Sequence, residues 1–145
     1  MDVKRGFAAI GLYASQKEPN VAGAFRAAAC YGAALVVIQG KMVKLAADTP
    51  KAHRTIPHLV VDDILKGIPF DTIPVVVELT PNSRPLPSFV HPERAFYIFG
   101  PEGGSVPQRV IDKCPLVVSI PMNIPMNLAA TVNVVLYDRL AKCLV

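Results

Sequence analysis

No apolar run in the 145-residue sequence approaches the ~20 residues needed for a membrane-spanning helix, although 52% of the chain is hydrophobic. Charge is sparse, at 18% of residues, and the net balance is +4. An apolar excess without a span implies a sheet buried on both faces, an oligomer interface, or both. The basic balance is compatible with an anionic partner such as RNA. Cysteine is also scarce. Cys30, Cys114 and Cys143 are widely spaced, odd in number, and form no CxxC or cysteine–histidine pattern. Such spacing offers no disulfide framework and no metal site, and points to buried thiols in a reducing cytoplasm. Repeats of solenoid length are lacking. The opening "MDVKRGFAAIGLYASQ" has a basic pair and a short apolar run but no small-residue cleavage site, so it reads as a first β-strand rather than a leader.

Continuous apolar runs recur at "FAAIGLY" (Phe7–Tyr13), "ALVVIQ" (Ala34–Gln39), "PVVVEL" (Pro74–Leu79), "AFYIFG" (Ala95–Gly100) and "PLVVSI" (Pro115–Ile120). Continuity, rather than alternation, is the pattern of strands covered on both sides. Helical segments lie between them. "NVAGAFRAAACYG" has Asn20 as a candidate N-cap, Gly32 as a stop, and Val21, Phe25 and Ala28 on one stripe. "HLVVDDILKG" reads as a shorter helix ending at Gly67, and "QRVIDKC" as one or two turns beginning near Pro107. The last helix, about 128–144, puts Leu128, Val132, Val135, Leu136 and Leu140 on a core-facing stripe, with Asp138, Arg139 and Lys142 as its polar residues. Ala129, Val134, Ala141 and Leu144 widen the apolar surface and suggest a dimer contact. The proline-rich stretch from Thr80 to Pro92 reads as an ordered surface connection. Strand–helix alternation therefore predicts one α/β domain over residues 1–145, with a mostly parallel sheet flanked by helices.

Ligands of such sheets sit outside the carboxyl ends of the strands, which singles out three loops. "FGPEGGSVP" follows the fourth run. Gly100, Gly103 and Gly104 permit close backbone approach, while Pro101 and Pro107 stiffen the frame. It is neither a phosphate-binding Walker loop nor GxGxxG, and a tight glycine turn alone would not require Glu102. "IPMNIPMN" (Ile120–Asn127) repeats four letters, and its prolines exclude a regular helix or central strand. A rigid, donor-poor loop between a strand and the last helix has the form of a binding loop. The third is the segment entering the first helix at Asn20, six positions before Arg26. An arginine stays protonated at ordinary pH and is a poor general base.

Taken together, "NVAGAFR" (Asn20–Arg26), "FGPEGGSVP" (Phe99–Pro107) and "IPM" with "MNLAATVNVVLYD" (Ile120–Asp138) resemble the SPOUT superfamily of RNA methyltransferases. The likeness is to its SpoU branch of ribose 2′-O-methyltransferases and covers essentially the whole chain. It implies a SPOUT fold with a C-terminal trefoil knot, which general topology rules would have rejected. It further implies an S-adenosylmethionine-dependent enzyme that modifies tRNA or rRNA and works as a homodimer. Cofactor-binding positions would be Phe99, Gly100, Pro101, Glu102, Gly103, Ile120, Pro121, Met122, Met126, Asn127 and Leu128. The catalytic set would be Arg26, Asn20, Glu102 and Asn127, with Arg26 activating the ribose hydroxyl.

The chain departs from that family in two places. Members usually read N-x-G in the first motif, whereas here Ala22 takes that place and Gly23 comes one later. Two serines common in the third motif are replaced by Pro125 and Ala129, and the loop is shorter. If those hydroxyls position substrate, activity would be lowered or redirected; if they cap the last helix, Asn127 can replace them. RNA contacts are expected from Lys41, Lys44, Lys51, His53, Arg54 and His58 after the second strand, each of which a solvated face would also explain. The competing readings are a non-catalytic dimeric module binding RNA or cofactor, and a small-molecule methyltransferase on an ordinary doubly wound fold.

Overall fold

The computed structural model describes residues 6–15, 17–41, 55–101 and 103–143. The order is β1 (Phe7–Tyr13), α1 (Glu18–Tyr31), β2 (Leu35–Gln39), β3 (His58–Val61), β4 (Ile73–Val77), β5 (Arg84–Pro85), β6 (Arg94–Phe99), α2 (Gln108–Ile111), β7 (Leu116–Ser119) and α3 (Leu128–Cys143). The strands form one seven-stranded sheet in the order β3-β2-β1-β6-β4-β7-β5. Every pairing in it is parallel.

Both faces of the sheet are covered, which explains the unbroken apolar runs. On one face Ile10, Leu12, Val36 and Tyr97 pack with Val21, Phe25 and Ala28 of α1 and Leu128, Val132 and Val135 of α3. On the other, Ala9, Val37, Val76, Phe96 and Ile98 meet Ile64, Val106 and Val110. Alternate residues of a strand thus serve opposite cores. Among the described residues, no helix is long and apolar enough to cross a membrane.

Three local expectations need correction. The "HLVVDDILKG" segment is not a helix: His58–Val61 pairs with β2 at the sheet edge, and only Ile64–Gly67 forms a 3-10 turn. Its β-branched pair suits an edge strand, while the Asp63 side chain accepts from Leu65 N–H and opens the turn. Helix α1 begins before Asn20. Lys17 occupies the cap and Pro19 the first turn, where its missing N–H has no intrahelical partner to lose.

Third, the cysteines are not buried thiols: Cys30 is exposed, because the buried face of α1 runs through Val21, Phe25 and Ala28, and Cys114 and Cys143 are partly exposed.

Arg139, one of the polar residues of α3, is by contrast only 7% exposed. Its guanidinium donates to the carbonyls of Pro92 (2.6 Å) and Glu93 (2.7 Å), and to the Tyr97 hydroxyl oxygen (3.0 Å). Tyr97 in turn lies 2.7 Å from His91 Nδ1, and His91 Nε2 lies 2.7 Å from Asp138 Oδ2. One donor sequence satisfies every member: Arg139 to Tyr97, Tyr97 to His91 Nδ1, and His91 Nε2–H to Asp138. That assignment requires a neutral imidazole. Burial lowers the His91 pKa, against the opposing pull of Asp138. Burial also pushes the Tyr97 hydroxyl up to about 12. Lys142 completes the clamp by pairing with Asp138 and donating to the Leu86 and Phe89 carbonyls. Helix α3 is thereby fastened to the proline-rich connection at Leu86, Phe89 and Pro92.

Candidate functional site

Three strands, β4, β6 and β7, end side by side, and the loops leaving them enclose a cavity of about 790 Å³. This is within the range of small-molecule sites, roughly 300–1,000 Å³. Val77, Glu78 and Leu79 leave β4, Phe99–Pro101 and Gly103–Ser105 leave β6, and Ile120 with Met122–Leu128 leave β7. Lys17 and Asn20 close the wall from α1, and Thr131 from α3.

The turn after Phe99 needs its first glycine for space. A Cβ on Gly100 would stand 3.1 Å from Val106 N and 3.3 Å from Ser105 C, so the backbone across the turn would have to give by a few tenths of an ångström to admit one. Gly103 has φ +68°, in the left-handed region. The exit of this turn is held by Glu78, whose Oε2 accepts from Val106 N–H at 3.1 Å. Across the cavity, Asn127 caps α3: its Oδ1 accepts from Ala130 N–H at 2.8 Å, and its carbonyl accepts from Thr131 N–H and Oγ1–H. Leu79 is 82% and Ile124 77% exposed, so two large apolar side chains stand uncovered at the cavity mouth.

Of the positions singled out from sequence, Phe99, Gly100, Pro101, Gly103, Ile120, Met122, Met126, Asn127, Leu128 and Asn20 converge on this one cavity. Pro121 does not. It lines a second, shallower apolar hollow of about 570 Å³ with Tyr31, Leu86, Val134 and Tyr137. Ile120 borders both. Arg26 is exposed on α1 and stands outside the lining of the cavity. Glu102, Lys44, Lys51, His53 and Arg54 lie outside the described residues; Lys41 and His58 are exposed.

Sequence reasoning missed Glu78, Lys17 and Thr131. The one available signal was a carboxylate directly after the apolar run of β4, at a strand's carboxyl end. The two departures in the motifs also meet in space. A Cβ on Gly23 would stand 2.5 Å from Ala129 Cβ, so the displaced glycine of the first motif receives the alanine that replaces a serine in the third.

Residues 8–137 match the SpoU rRNA Methylase family, and the chain belongs to that family. Comparison with curated proteins gives no match in sequence. Among solved structures, the SpoU methyltransferase AviRb from Streptomyces viridochromogenes superposes with a TM-score of 0.83 at 14% identity, covering 97% of this chain and 61% of that one. A TrmH/SpoU tRNA modifying enzyme of A. aeolicus gives 0.84 at 16% identity, with 97% and 78% covered. A structure described for 2-OH methylation of C/U34 on tRNA gives 0.77 at 20% identity, with 92% and 94% covered. The chain therefore spans 94% of the tRNA 2-OH methylation structure and about three-fifths of other relatives, including AviRb at 61%. At these identities the likeness establishes the fold.

Proposed function

We propose that the protein transfers a methyl group from S-adenosylmethionine to a ribose 2′-hydroxyl of tRNA or rRNA. The observation that carries this proposal is the convergence of the three motif loops, which are far apart in sequence, on one cavity at the strand ends. Family membership supports it, as do the AviRb structure solved with AdoMet and the tRNA 2-OH methylation structure among its relatives.

The residues present fit the cofactor. Val77, Phe99, Ile120, Met126 and Leu128 supply apolar walls suited to an adenine ring, and the glycine turn offers backbone groups at close range. When bound, S-adenosylmethionine supplies an electrophilic methyl group on a sulfonium. Asn127 spends its carboxamide oxygen on the helix cap and leaves its amino end for the cavity. Capping thus replaces what the missing serines would do locally, which supports retained activity over a merely binding role. Asn20 orients the ribose from the cavity wall. Arg26, reaching RNA laid along the exposed side of α1, stabilises the developing alkoxide and contacts the adjacent phosphate; a guanidinium cannot take up the hydroxyl proton, which leaves to solvent as the methyl group passes from the sulfonium to the ribose oxygen. Lys41 and His58 add contacts to the RNA backbone.

The homodimer belongs to the same proposal. The hollow containing Tyr137 and Val134 is apolar, lies on α3, and shares Ile120 with the cofactor cavity, so a second copy seated there would stand beside the site. A C-terminal knot is likewise proposed. β7 inserts between β4 and β5, which are joined directly through residues 78–83, so the chain leaving β7 must pass that connection.

Calorimetric titration with S-adenosylmethionine tests the site. Binding should occur at micromolar cofactor and be lost on replacing Gly100 with valine; undiminished binding by Gly100→Val would place the cofactor elsewhere.

A further inference from the structure

Two ionisable side chains line the cavity among the described residues, Lys17 and Glu78. Lys17 is exposed at the rim, whereas Glu78 is half-buried. Glu78 is also fixed at both ends. Its backbone N–H donates to Val118 O at 3.0 Å, tying it to β7, and its Oε2 accepts from Val106 N–H at 3.1 Å, tying it to the exit of the glycine turn. A carboxylate bonded in this way is held at the cavity wall through Oε2, which leaves its other oxygen for a ligand.

We propose that Glu78 makes this cavity charge-selective, favouring the cationic cofactor over the neutral product left after transfer. The inference rests on the methyltransferase proposal. S-adenosylmethionine carries a sulfonium, an ammonium and a carboxylate, for a net charge of +1. S-adenosylhomocysteine keeps the ammonium and carboxylate but has lost the sulfonium, so it is net neutral. The two share nearly every contact that shape and hydrogen bonding can provide. A fixed negative charge in a partly desolvated cavity is therefore a means by which the chain can distinguish them, because the Coulomb term acts on the difference in charge alone. Once the methyl group has left, the attraction from Glu78 falls and the product is released more readily. Glu78 is a positioning residue for the turn and a binding residue for the cofactor, and these roles separate by substitution.

Glu78→Gln keeps an oxygen that accepts from Val106 N–H but removes the charge. Glu78→Ala removes both. Dissociation constants for S-adenosylmethionine and S-adenosylhomocysteine are measured calorimetrically on the full chain and on each variant, with thermal melts confirming that the variants fold. Glu78→Gln should weaken S-adenosylmethionine at least ~10-fold, equivalent to ~1.4 kcal/mol, and leave S-adenosylhomocysteine essentially unchanged. Glu78→Ala should show the same fall in preference, with both ligands weakened further by the unbraced turn. A preference unchanged in Glu78→Gln overturns the proposal and leaves Glu78 as a brace alone. Failure of the unsubstituted protein to bind either compound is a different result: it overturns the methyltransferase proposal and this one with it.

Discussion

Replacing Gly23 with alanine tests how the two halves of the site are held in register. Gly23 lies one turn after Asn20 on α1, and Ala129 lies two positions after Asn127 on α3, so the crossing of these helices sets the distance between the two asparagines. The new Cβ would sit 2.5 Å from Ala129 Cβ. Carbon atoms in ordinary contact are ~3.5–4.0 Å apart, so the helices must part by roughly 1 Å. Overpacking of this kind costs about 1–3 kcal/mol, and the helix propensity gained over glycine returns about 1 kcal/mol. Gly23→Ala should therefore destabilise the protein by about 1 kcal/mol. Ala129→Gly alone should cost a similar ~1 kcal/mol through lost propensity. The double variant moves the methyl group from one helix to the other, and its propensity terms cancel. Its stability should return to within about 0.5 kcal/mol of the original, a coupling of roughly 1–2 kcal/mol. Urea unfolding of all four proteins measures this directly. Strict additivity of the single changes would show that the helices are not in contact at this point.

Three further outcomes are expected. Arg26→Ala should preserve the fold and cofactor affinity but lower methyl transfer at least ~100-fold, with incomplete rescue by lysine, whose ammonium lacks the planar fork; intact transfer in radiolabel assays would make Arg26 non-catalytic. Arg139→Ala should cost about 3 kcal/mol or more in denaturant midpoints, because the Pro92 and Glu93 carbonyls and the Tyr97 hydroxyl lose their buried donor; a loss under 1 kcal/mol would contradict the clamp. His91 has a lowered pKa in the folded state, so as pH falls below about 6.5 the unfolded chain takes up the proton first and stability declines towards the folded pKa. His91→Gln should flatten that acid limb of the melting temperature against pH; an unchanged slope would mean that His91 does not titrate there.

The strands were legible because a sheet covered on both faces writes itself as continuous apolar sequence. Helices α1 and α3 were legible from their stripes, with Val21, Phe25 and Ala28 in the first and Leu128, Val132 and Val135 in the second all buried. What escaped depended on long-range partners. His58–Val61 carries no local mark that separates an edge strand from a short helix, and β2 decides it. Arg139 reads only as a polar residue of the last helix until segments near residues 92 and 97 provide its acceptors. The cavity loops could be chosen from glycine and proline chemistry and from family likeness, and most of their residues do line one cavity. Glu78 could not, since its importance arises only when the exit of the glycine turn folds back to β4.

The most direct test of the proposed activity is to incubate the protein with methyl-tritiated S-adenosylmethionine and bulk tRNA or rRNA, then hydrolyse the RNA with alkali. A 2′-O-methyl group blocks strand cleavage at its own nucleotide. The label should therefore appear in alkali-resistant dinucleotides, and should vanish when Arg26→Ala replaces the unsubstituted protein. Label confined to mononucleotides, or no incorporation into either RNA by a protein that binds the cofactor, would contradict ribose methylation.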